Sequence, residues 1–174
     1  YEIDVANPQA WITRLEREKP VWECVASKVN LTRGSRKPMR MLPAGRALAE
    51  LVKAVLAGTV PGITSVQQIF LDNVHVNNIG NYFISLVEYA TVYRRDPRGL
   101  PYTGLTSVVD ASPTISAQTA ARLQEIAMAA VAAEVPLDNN VLRSEASCEA
   151  LIDSVCRQTP GFNDWACNQI PTSF

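Results

Sequence analysis

Met39-Arg40-Met41-Leu42-Pro43, followed directly by Ala44-Gly45-Arg46-Ala47-Leu48-Ala49-Glu50-Leu51-Val52-Lys53-Ala54-Val55-Leu56-Ala57-Gly58, is the stretch on which the fold class turns. The first four residues read as a short strand that Pro43 ends, because proline has no N–H to give to a ladder. In the rest, Ala44, Leu48, Leu51, Val52 and Val55 recur at helical spacing, and Gly58 supplies a C-terminal stop. A strand followed by a crossover helix implies an α/β fold dominated by helix.

Outward from there, Asn7 and Pro8 give an N-cap and a first-turn proline. Trp11, Leu15, Trp22 and Val25 then share a helical face, with Pro20 breaking the run into a helix or a kinked pair. Residues 59–70 read as a loop punctuated by Pro61 and Gly62, in which Ser65 could cap a helical turn. Asn77 or Asn78 caps a strong helix whose stripe is Ile79, Tyr82, Phe83, Leu86, Val87, Ala90 and Tyr93. After Asp96-Pro97-Arg98-Gly99-Leu100-Pro101 and a loop to about Thr114, an alanine-rich helix spans about Ser116 to Ala133. In the tail beyond Pro136, Cys148, Leu151, Ile152, Val155 and Cys156 keep helical spacing. Residues 1–136 and 137–174 are therefore expected as a domain and a cysteine-rich helical extension. There is no internal repeat and no low-complexity segment.

The chain has 174 residues, 47% of them hydrophobic and 19% charged, with a formal charge of −1, which is ordinary globular material. No apolar run is long enough to span a membrane. Arg33, Arg36, Lys37 and Arg40 form a basic cluster without interleaved aromatics, so it reads as a solvated loop and nucleic acid is not an expected partner. The spacings of Cys24, Cys148, Cys156 and Cys167 fit no zinc pattern, and no metal or other cofactor is expected. Cys148 and Cys156 stand about 12 Å apart along a helix and cannot bridge each other, so bonds involving Cys167 and Cys24 are favoured. That points to export, periplasmic or secreted. Asn30-Leu31-Thr32 is a glycosylation triplet in a eukaryotic secretory setting. A start on Tyr1-Glu2-Ile3-Asp4-Val5 reads as a processed or truncated piece of something longer.

The residues that could carry chemistry are Asp72-Asn73-Val74-His75. His75 is the single histidine, so any imidazole acid–base role falls on it. A carboxylate three residues earlier on a loop can fold back to Nδ1 and leave Nε2 to take a proton from a nucleophile. The structural alternative is an Asx-type turn before a helix.

The text around this motif, Pro43-Ala44-Gly45, Gly58-Thr59-Val60-Pro61-Gly62, Phe70-Leu71-Asp72-Asn73-Val74-His75-Val76-Asn77-Asn78-Ile79-Gly80-Asn81-Tyr82 and Tyr93-Arg94-Arg95-Asp96-Pro97-Arg98-Gly99-Leu100-Pro101, resembles the C-terminal half of SGNH/GDSL-type hydrolases. The likeness covers about residues 1–135, and most specifically 39–101. It implies a partial SGNH (flavodoxin-like three-layer) fold in which His75 is the general base for a serine, Asp72 orients it, and the substrate is an acyl or carbohydrate ester. The family's Gly-Asp-Ser block is not present, and Gly161-Phe162-Asn163-Asp164 spells its G-x-N-D only after the D-x-x-H. Ser35, Ser65 and Ser85 sit in no nucleophile elbow. The resemblance thus implies a partner, either an N-terminal segment or a second protein chain, that carries the serine and covers the open edge of a half sheet. The alternative is a non-catalytic structural or accessory subunit, with Phe162 and Trp165 as docking anchors.

Overall fold

The computed structural model describes residues 3–32, 34–103, 114–134 and 144–154. Helices α1 (Pro8–Thr32), α2 (Ala44–Leu56), α3 (Asn78–Tyr93), α4 (Ala117–Ala132) and α5 (Glu145–Ile152) are joined by loops, with one 3₁₀ turn at Val66–Gln68. The chain divides into two compact units, one of residues 1–15 and 42–134, the other of residues 16–41 and 135–174.

In the first unit α2, α3 and α4 pack on one another. Each buries an apolar stripe: Leu51, Val52 and Val55 from α2, Phe83, Leu86 and Val87 from α3, Leu123, Ile126 and Ala127 from α4. Ile3, Trp11 and Ile12 join the same core. Side chains of this size contribute about 1.5–3 kcal/mol each when fully buried, so the three-helix core is the main source of stability in this unit. The caps are local: Asn77 Oδ1 accepts from the amides of Ile79 and Gly80, and the Ser116 side chain accepts from Thr119 N. On α4, Gln124 is buried and holds the 97–100 turn. Its Oε1 accepts from Gly99 N at 2.7 Å, and its Nε2 donates to Leu100 O and to the Tyr82 hydroxyl, each at 2.8 Å. Burial raises the Tyr82 phenol above its ordinary pKa, and the bond from Gln124 opposes that rise.

In the second unit, Cys24 and Cys148 form a disulfide across 124 residues of sequence, and both are buried. This is one of the favoured uses of Cys24; Cys156 and Cys167 lie outside the described residues. Asn30, only 5% exposed, donates from Nδ2 to Met39 O at 3.0 Å and accepts at Oδ1 from Met39 N at 2.6 Å. An amide with both ends engaged in this way cannot also serve as a glycan acceptor in the folded state.

Two expectations are corrected. The α/β, partial SGNH (flavodoxin-like three-layer) fold is not found: the described residues contain no strand, only an isolated antiparallel bridge between Phe70 and Val76. The physical reason is visible at residues 39–42. A lone four-residue strand closed by proline has no ladder to join, so the Asn30 side chain satisfies Met39 instead, while Met39 and Leu42 stay exposed. The helical stripes of α2, α3 and α4 then bury each other and need no sheet to cover them. The second correction is at Pro20, which lies inside α1 instead of breaking it.

Candidate functional site

The Asp72–His75 loop is closed at its base by backbone pairing. Leu71 N donates to His75 O at 2.8 Å and Asn77 N to Ile69 O at 2.9 Å, on either side of the Phe70–Val76 bridge. Phe70 is anchored from below by Trp11, edge-on at 6.1 Å between ring centroids. The buried Asn77 side chain works in two directions: its Oδ1 caps α3 and its Nδ2 donates to Gln68 O at 2.8 Å. The loop therefore ends on a helix start that is itself tied to the preceding 3₁₀ turn. Gly80 makes that closeness available, since a Cβ there would lie 2.5 Å from Val76 Cβ and 2.7 Å from Ile69 O.

Within the loop, Asp72 uses both oxygens. Oδ1 accepts from the amides of Val74 and His75, each at 2.7 Å, and Oδ2 pairs with His75 Nδ1 at 2.8 Å. The His75 side chain first, then the two amides, lower the Asp72 carboxyl to a pKa of about 2. At neutral pH Asp72 is consequently a carboxylate, which can only accept. Nδ1 must then be the donor, and in the neutral imidazole Nε2 carries the free lone pair. That is the tautomer a general base requires.

The setting is open. The His75 and Asp72 side chains are 70% and 56% exposed, and Leu71 and Val74 beside them are exposed as well. Among the described residues, no serine, threonine or cysteine side chain hydrogen-bonds His75 Nε2. Ser85 is exposed on α3, Ser35 is exposed, and Ser65 caps the 3₁₀ turn. Gly161-Phe162-Asn163-Asp164, Phe162 and Trp165 lie outside the described residues.

A cavity of about 560 Å³ lies between α2 and α4, and its lining includes neither Asp72 nor His75. Its lining combines alanines and Ile126 with oppositely charged neighbours: Lys53 with Glu50 at 3.0 Å, Arg122 with Glu125 at 3.1 Å, and Arg46 with Glu134. Paired charges of this kind leave little net field to draw in an ionic ligand. Among the described residues, no group of three or more His, Cys, Asp or Glu could hold a metal ion, and no helix is long and apolar enough to cross a membrane.

No family model, curated protein or solved structure matches this chain. Sequence reasoning located the pair and left the cap of α3 between Asn77 and Asn78, of which the structure uses Asn77. It missed the bond from Ile3 N to Asn73 O at 2.7 Å, because nothing in the text of residues 1–7 points to a loop so distant in sequence.

Proposed function

We propose that the chain presents Asp72 and His75 as the acid–base half of an ester-hydrolase site, acting on a hydroxyl nucleophile that another segment or a second polypeptide brings to Nε2. The observation that carries this reading is the 2.8 Å contact between Asp72 Oδ2 and His75 Nδ1, with a carboxylate held ionised on one side and, on the other, an Nε2 that no side chain among the described residues hydrogen-bonds. In such a site Nε2 takes the hydroxyl proton as its oxygen bonds to the ester carbonyl carbon. The proton then passes to the departing alkoxide as the acyl C–O bond breaks, and Asp72 stabilises the intervening imidazolium. The resemblance of the D-x-x-H text to SGNH hydrolases supports an acyl or carbohydrate ester as the substrate class; the SGNH fold is no part of the proposal. The buried Cys24–Cys148 disulfide suits an oxidising, exported setting.

The test is hydrolysis of short aryl and sugar acetates by the native preparation with whatever polypeptides co-purify. His75→Gln and Asp72→Asn are each expected to lower kcat by about 10²–10⁴-fold. Activity that survives His75→Gln unchanged refutes the assignment.

A second reading is favoured by the exposure of the whole loop. Leu71, Val74 and His75 on an open surface suit a contact patch of a non-catalytic accessory subunit. That reading expects no esterase activity in any preparation, and an unchanged assembly state on His75→Ala rules out His75 as an essential contact.

A further inference from the structure

The side chains of Leu71, Asp72, Asn73, Val74 and His75 are all exposed, so none of them anchors the loop in the core. Its position must come from the backbone. The bonds at its base close the loop on itself, and among the described residues one hydrogen bond ties 71–75 to a part of the chain distant in sequence: Ile3 N to Asn73 O, at 2.7 Å. Ile3, unlike the loop, is a core residue, 1% exposed. A second tether from the same segment, Gln67 Nε2 to Val5 O at 3.4 Å, holds it beside the turn that leads into the loop.

The Asn73 carbonyl and the Val74 N–H belong to one planar peptide unit, so fixing the carbonyl fixes the direction of the N–H. That N–H donates to Asp72 Oδ1 at 2.7 Å, and the other oxygen of the same carboxylate holds His75 Nδ1 at 2.8 Å. The links run in sequence from a buried amide, through a rigid plane, to a carboxylate and then to an imidazole.

We infer that Ile3 is a positioning residue for His75: its buried backbone amide, through the Asn73–Val74 peptide plane and the Asp72 carboxylate, holds the imidazole in its Nδ1–H form with Nε2 facing outward. The inference rests on the reading of Asp72 and His75 as an acid–base pair, but its consequence can be observed on the imidazole without any substrate.

Because the chain has one histidine, its ring nitrogens give a single pair of ¹⁵N resonances, whose shifts report which nitrogen carries the proton in the neutral ring. The full chain is compared with Ile3→Pro, which has no N–H to donate, and with Ile3→Val, which keeps the donor and nearly all the side chain. The wild type and Ile3→Val are expected to hold the Nδ1–H form, and Ile3→Pro to lose that preference while keeping its helical circular dichroism. A folded Ile3→Pro chain with the wild-type tautomer overturns the inference, as does loss of the preference in Ile3→Val. If Ile3→Pro does not fold, hydrogen exchange of the wild type decides. A protected Ile3 amide whose exchange quickens in step with disordering of the His75 ring in mild denaturant supports the role, and an unprotected one overturns it. Esterase assays on the same samples separate the two proposals: a tautomer that responds to Ile3→Pro in a protein without activity leaves the positioning role standing and removes the catalytic one.

Discussion

Asp72 makes its contacts only as a carboxylate: two amides and an imidazole N–H all point hydrogens at it, and a protonated oxygen would disrupt at least one of those bonds. Its pKa of about 2 lies below the 3.8 of an unstructured aspartate, so the folded loop binds the proton less well than the unfolded chain does. The loop geometry is therefore fully supported above about pH 4, and that support is lost as the pH falls through about 2. The ¹³C titration of the Asp72 carboxyl should show this low midpoint, and His75→Gln should move it upward by removing the largest cause. Because the pair is exposed, added salt should weaken the shift. At Gly80 the sign is decided by space. Alanine would gain about 1 kcal/mol of helix propensity but would drive a methyl into Val76 and the Ile69 carbonyl, and a backbone oxygen cannot swing away. Gly80→Ala should lower stability by a net ~1–2 kcal/mol in a denaturant melt. A gain in stability would mean that α3 can retreat from the bridge.

At the scale of elements, what holds the site is the junction of the 3₁₀ turn, the bridge and the start of α3. Asn77 joins all three, and Asn77→Ala should cost about 0.5–2 kcal/mol through the cap, together with loss of amide protection at Ile79 and Gly80. The 97–100 turn that follows α3 depends on a different buried amide, that of Gln124. Gln124→Leu keeps the volume but orphans Gly99 N and Leu100 O, so a loss of about 2–4 kcal/mol is expected in thermal or denaturant unfolding. That substitution should leave the His75 tautomer unchanged, since Gln124 and the loop share no hydrogen bond. Helices α2, α3 and α4 were legible in the sequence because each shows its apolar stripe at helical spacing. The expected strand at 39–42 failed because four residues of mixed pattern carry no information about whether a pairing partner exists, and the partner turned out to be the Asn30 side chain. Pro20 misled for a related reason. Proline removes one donor from a helix, but tertiary packing can outweigh that loss over a 25-residue element.

At the scale of the whole molecule, two units are organised around different kinds of restraint. The unit of α2, α3 and α4 has a continuous apolar core, whereas in the other the Cys24–Cys148 bond secures the short α5 to α1. Removing that bond, by reduction or by Cys24→Ser with Cys148→Ser, should cost about 2–5 kcal/mol. Hydrogen exchange should place the loss in residues 16–32 and 144–154, with amides of α2, α3 and α4 still protected; uniform loss across all five helices would show the two units to be one cooperative block.

Composition and local periodicity suffice to show that His75 is the single imidazole, that Asp72 stands at a spacing able to reach it, and where the main helices run. The tertiary structure decided what depends on distant contacts. It replaced the α/β layers by helix-on-helix packing, paired Cys24 with Cys148, committed Asn30 to Met39, and brought the amide of Ile3 to the carbonyl of Asn73. Hydrogen bonds and disulfides between residues far apart in the chain leave no periodic trace in the text, so only the folded backbone can reveal them.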